Sequence, residues 1–167
     1  MTPPQETLKQ KLNNALRVAV LGIGSELRGD DVAGLLAAQQ IEKNTKGKSV
    51  TPQVQVFISE TAPENLTGEI KKFQPTHLII IDAAELNKEP GHIEIMEPGT
   101  IGGTSFCTHA LPLKVIVDYL LKSFKFQAII IGIQPKTLTF GAKPTKEVVA
   151  AAKHIAKVIT ALFKKAK

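Results

Sequence analysis

Apolar and polar positions along the chain follow two different periods. "RVAVLGI" (17–23), "VQVFI" (54–58), "THLIIID" (76–82) and "FQAIIIGI" (126–133) are short, nearly continuous apolar runs. Runs of that length, bounded by turn residues, predict strands buried on both faces. "GHIEIME" (91–97) alternates instead and is flanked by "KEPG" and "PG"; it predicts a half-exposed, antiparallel edge strand. Between these segments the period changes to that of a helix. "DVAGLLAAQQIEK" (31–43) spaces Val32, Leu35, Leu36 and Ile41 along one face. "APENLTGEIKKF" (62–73), with Pro63 near its start, "LPLKVIVDYLLKSF" (111–124) and "TKEVVAAAKHIAKVITALF" (145–163) read as three more helices. At the N-terminus, "TPPQETLKQKLNNAL" predicts a helix capped by Thr2, with Pro3 in its first turn and Gln5 completing a capping box.

Strands that alternate with helices, with no repeat or linker dividing the chain, predict an α/β three-layer sandwich. The expected core is a five-stranded, mostly parallel sheet with one antiparallel edge strand and helices on both faces. Residues 1–167 form one domain in this reading, with 1–16 as an N-terminal helical extension. Ligands of such sheets bind beyond the carboxyl ends of the strands. Attention therefore falls on the loops after "VAVLGI", "LIIID" and "IIIGI".

Composition narrows the class. No apolar run approaches the roughly 18 residues of a membrane span, and the polar N-terminus lacks the apolar centre of a secretory signal. One cysteine, Cys107, allows no internal disulfide; a cytoplasmic location is the default expectation. The net charge is +6, but arginine occurs only at Arg17 and Arg28, aromatics are 5% and Trp is absent. Nucleic-acid surfaces rely on arginine and stacking aromatics, so a solvated lysine face is the better account.

The loop "GIGSELRGDD" (22–31) poses the chemical question. A dinucleotide fingerprint needs G-x-G-x-x-G; here the third glycine, Gly29, comes two residues late, and Asp30 and Asp31 stand where pyrophosphate would sit. No Gly-Lys-Ser/Thr phosphate loop occurs. Taken singly, the polar residues have plain explanations. Asp30 reads as a helix N-cap, with Asp31 favourable against the helix dipole. Asp82 ends a strand, and His109 can bond within its loop. Their joint placement says more. Asp31 follows the first strand, Asp82 closes the third, and His109 lies in the Gly-rich loop "GTIGGTSFCTHA" (99–110), so all three reach one edge of the sheet. Two carboxylates and an imidazole can hold a divalent metal with positions left for water or substrate. A Cys–His protease built on Cys107 and His109 has no evident oxyanion hole or third member. His77, His92 and His154 fall in strand or helix patterns and read as structural or exposed.

"GIGSELRGDDVAG", "TAPEN", "IIIDAAELNKEPGHIEI", "THALPL" and "IGIQP" occur in this order. Together they resemble the [NiFe]-hydrogenase maturation endopeptidases, most closely the branch serving the hydrogenase 3 (formate hydrogenlyase) large subunit. The resemblance spans roughly residues 17–163. It implies removal of a C-terminal extension from the hydrogenase large-subunit precursor after nickel insertion. It implies Asp31, Asp82 and His109 as metal-binding and catalytic residues, with Asp31 preferred to Asp30 because the family ligand is the second of the acidic pair. The cofactor implied is nickel, carried by the substrate. The partner implied is the large-subunit precursor, with no nucleic acid and no membrane span, and the chain itself a monomer. A nickel-sensing or metal-chaperone module that binds the large subunit without cutting it is the alternative. Two departures stand out: Ser25 replaces the usual Asn, and "FISETAPEN" lacks the Asp-Gly-Gly that often precedes this segment.

Overall fold

The structure is a computed structural model, and it describes residues 3–60, 62–103, 105–106 and 113–165. Its elements in chain order are α1 (Pro4–Lys11), β1 (Arg17–Ile23), α2 (Ala33–Thr45), β2 (Val50–Thr51), β3 (Gln53–Ser59), α3 (Thr67–Phe73), β4 (His77–Glu85), β5 (Ile93–Met96), β6 (Ser105–Phe106), α4 (Leu113–Ser123), β7 (Gln127–Ile133), α5 (Lys146–Ala161) and β8 (Lys164–Lys165). Short 3-10 turns, Gly29–Val32 and Pro63–Leu66, lead into α2 and α3.

The main sheet has the order β3-β1-β4-β7-β5. The first four strands are parallel, and β5 joins the edge antiparallel to β7. The three-layer arrangement expected from the apolar runs is borne out. Alternate side chains supply two cores. Val18, Val20, Ile79, Ile81, Ile129 and Ile131 pack with α1, α2 and α5. Ala19, Leu21, Leu78, Ile80 and Ile130 pack with α3 and α4 on the other face. Because β1, β4 and β7 are covered on both sides, they carry no polar alternation, and this made them legible as apolar runs. No helix among the described residues is long and apolar enough to cross a membrane.

Two local expectations need correction. The N-terminal helix stops at Lys11, and Pro3 rather than Thr2 precedes it, with Pro4 at its first position; Thr2 lies outside the described residues. Asn13 and Asn14, which compete for backbone hydrogen bonds, oppose its continuation. The helix is docked: Leu8 is fully buried in the core it shares with α5. β4 runs three residues past Asp82, because Ala84 and Glu85 pair antiparallel with Phe106 and Ser105 of β6. The sequence also gave no sign of the two-residue pair β2–β8.

Candidate active site

The first motif forms a tightly packed crossing from β1 to α2. A Cβ on Gly34 would lie 2.1 Å from the Ile81 carbonyl oxygen and 2.2 Å from that of Ile23, and one on Gly22 would lie 2.5 Å from the Gly34 oxygen. Only glycine lets α2 press so closely onto β1 and β4. The preceding turn is drawn down with it. The Ser25 N–H donates to the Asp31 carbonyl at 3.2 Å. Ser25 Oγ accepts from the Leu27 N–H at 3.2 Å, a side-chain-to-backbone turn that Asn can also make, so replacement of the usual Asn preserves this geometry.

Asp31 sits on the turn Gly29–Val32 with no exposed surface. Asp82 is equally buried, and its Oδ1 accepts from the Ala83 N–H at 2.8 Å. The register Gly22↔Ile81 between β1 and β4 puts Asp82 level with Ile23, beside the point where α2 crosses. Strand alternation puts Asp82 on the side of Leu78 and Ile80, the side covered by α3 and α4. The structure thus brings the Asp31 turn and Asp82 to the same carboxyl-end edge of the sheet. His109 and Cys107 lie outside the described residues. Among the described residues no group of three His, Cys, Asp or Glu side chains forms a metal-binding cluster.

Asp30 departs from the N-cap expectation. Its carboxylate, also fully buried, accepts from the Lys136 N–H at 2.8 Å and the Thr137 N–H at 3.1 Å through Oδ2. Oδ1 accepts from the Thr145 N–H at 2.6 Å. The Thr145 hydroxyl lies 3.0 Å from both oxygens. A local reading of the sequence assigned Asp30 to its own helix because its true partners are more than 100 residues away.

Gln134, which sequence reasoning passed over although "IGIQP" had marked its position, fastens the chain near this edge. It is 5% exposed. Its Oε1 accepts from the Leu86 N–H at 2.7 Å and the Lys88 N–H at 3.3 Å, and its Nε2 donates to Glu85 Oε1 at 3.0 Å. One side chain thereby fixes the chain as it leaves β4 just beyond Asp82. The remaining histidines sit elsewhere. His77, at the opposite end of β4, is nearly buried, and burial holds its imidazole below the ordinary 6.5. His92 is partly exposed, 3.8 Å from Glu94, and His154 is exposed on α5.

Comparison with known proteins agrees with this architecture. The family profile described as hydrogenase maturation protease matches residues 35–162. A putative hydrogenase maturation protease of Methanocaldococcus jannaschii is 36% identical over 139 residues, 81% of this chain and 82% of that protein. The hydrogenase 3 maturation protease of Escherichia coli K12 is 34% identical, covering 72% of this chain and 74% of its own length. Among solved structures, the [NiFe] hydrogenase maturation protease HycI from Thermococcus kodakarensis superposes with a TM-score of 0.83 at 27% identity, covering 93% of this chain and 97% of that one. The endopeptidase HycI from Escherichia coli gives 0.72 at 32% identity, over 84% of this chain and 87% of that one. The paired acidic elements at the sheet edge thus stand on the scaffold of a known enzyme class, and the chain belongs to the hydrogenase maturation protease family of endopeptidases.

Proposed function

We propose that this protein works in the cytoplasm as a nickel-checking endopeptidase. It removes the C-terminal extension of a [NiFe]-hydrogenase large-subunit precursor once nickel has been inserted. The observation that carries this reading is that two fully buried acidic residues, Asp31 on the turn into α2 and Asp82 on β4, stand on elements that meet at the carboxyl-end edge of the sheet. Carboxylate oxygens and an imidazole suit a divalent first-row metal, and withdrawal from bulk water strengthens their pull on a cation. The third donor in this reading is His109.

The nickel belongs to the substrate, which presents it together with the peptide to be cut. Asp31, Asp82 and His109 complete its coordination and so admit only a loaded precursor. A metal held there polarises a carbonyl or a water for hydrolysis. This chain's contribution is to hold the carboxylates in register, one on the turn pressed against β1 and one on β4.

The test is incubation of the purified protein with nickel-loaded and nickel-free precursor, followed by mass measurement of the products. The loaded precursor is expected to lose its C-terminal fragment while the nickel-free form stays intact. Asp31→Ala, Asp82→Ala and His109→Ala are each expected to remain folded and to release no fragment. Equal cleavage of the two precursors overturns nickel checking. Tight binding of the loaded precursor without cleavage shifts the assignment to a metal-sensing module. Normal cleavage by Asp82→Ala removes that residue from the site.

A further inference from the structure

We infer that Asp30 is the positioning residue of this site: it ties the Asp31 turn to the loop between β7 and α5, and that loop in turn holds the segment that follows Asp82. The inference rests on the functional reading of Asp31 and Asp82 given above.

The tie is unusually dense for one side chain. Asp30 gathers the N–H groups of Lys136, Thr137 and Thr145 and the hydroxyl of Thr145, at 2.6 to 3.1 Å. Three backbone bonds run alongside it: Asp30 N–H to the Thr137 carbonyl at 2.9 Å, Gly29 N–H to that of Ala142 at 3.1 Å, and Gly141 N–H to that of Leu27 at 2.8 Å. Gly29 has a φ of +54°, and a Cβ there would stand 2.6 Å from the Thr137 oxygen, so the two loops touch backbone to backbone. Thr145 is the N-cap of α5, yet its hydroxyl makes no cap bond within that helix. It serves Asp30 instead, and the Asp30 carboxylate takes the place at the α5 N-terminus where negative charge is favoured.

The same loop reaches the other acidic residue. Two residues before Lys136, Gln134 grips Leu86, Lys88 and Glu85 just after the end of β4, and Gly132 of β7 is the register partner of Asp82 itself. A short stretch, 132–137, is therefore anchored to Asp82 at one end and to the residue beside Asp31 at the other. Asp30 closes this brace. Without it, the Asp31 turn keeps its attachment to α2 but loses its side-chain fastening to the strand that carries Asp82.

Asp30→Asn tests this, because the amide turns one acceptor oxygen into a donor facing backbone N–H groups. Steady-state cleavage of nickel-loaded precursor by the full chain gives kcat and KM separately, at a temperature where circular dichroism shows the variant fully folded. The expected result is a kcat lower by about 10- to 100-fold, the scale on which a misplacement of about 1 Å at the reacting groups acts, with KM within about threefold of the parent. Thr145→Val and Thr145→Ser supply an independent arm should Asp30→Asn not fold. The valine variant loses the hydroxyl donor and a severalfold drop in kcat is expected, with the serine variant restoring it. An unchanged kcat in a folded Asp30→Asn protein overturns the inference, as do valine and serine variants that behave alike. A parent protein that cuts no precursor instead overturns the functional reading, and the positioning role falls with it.

Discussion

Gly34→Ala adds one methyl group where α2 meets the sheet, and the surroundings fix its cost. The new Cβ would meet the Ile81 oxygen at 2.1 Å, the Ile23 oxygen at 2.2 Å and the Ile23 nitrogen at 2.8 Å. All three are backbone atoms of buried strands and cannot rotate away, so the helix must lift. Overpacking of this kind costs roughly 1–3 kcal/mol, and the absence of any flexible neighbour places this site at the upper end, about 3 kcal/mol. Alanine recovers about 1 kcal/mol of helix propensity, leaving a net loss of about 2 kcal/mol. For a chain of this size that lowers Tm by about 4–8 °C. Gly68→Ala is the matched control: Gly68 is also helical, but a Cβ there meets nothing within 4 Å, so a gain of about 0.5 kcal/mol is expected near the start of its helix. Thermal and urea melts of both variants decide the matter. Precursor cleavage by Gly34→Ala, measured well below its Tm, should also fall, since lifting α2 carries the Asp31 turn with it. If Gly34→Ala matches Gly68→Ala in stability, the close approach of α2 to the sheet does not exist as described.

Leu8→Ala should cost about 2–5 kcal/mol, because Leu8 is fully buried between α1 and the core it shares with α5; a urea midpoint within error of the parent would show that α1 is not docked. His77 makes stability depend on pH. Burial, the largest cause, lowers its folded-state pKa below the 6.5 of the unfolded chain, so the unfolded state binds more protons in acid. The His77 contribution is whole above about pH 6.5 and is lost as pH falls through that value toward the folded pKa. His77→Gln should accordingly lose less stability than the parent between pH 7 and 5, and parallel declines would refute it.

The fold was legible wherever burial is two-sided. β1 and β7 matched their apolar runs because both faces of each strand are covered. The edge position of β5 followed from its alternation. Legibility failed where an element exists only through a distant partner. Ala83, Ala84 and Glu85 carry little strand preference of their own, and the last two are held as strand by β6. The site divided in the same way. Asp31 and Asp82 stood out because each comes at or just after an apolar run that the sequence announces, and the structure takes both to one edge of the sheet. His109 was named from its loop and lies outside the described residues. Asp30 and Gln134 were misread or passed over because their meaning lies in bonds to residues 46 to 115 positions away, which no local pattern encodes.

The long reach of Asp30 also sets a schedule. Its last donor, Thr145, is made 115 residues after it. At roughly 5–20 residues per second of synthesis, on the order of ten seconds pass between the appearance of the acidic pair at the ribosome and the arrival of the groups that fasten it. A nascent chain that has already formed β1, α2 and β4 still lacks the fastening that ties the turn Gly29–Val32 to the loop after β7. The fastening of the acidic turn is therefore complete only late in synthesis, once β7 and the start of α5 are in place.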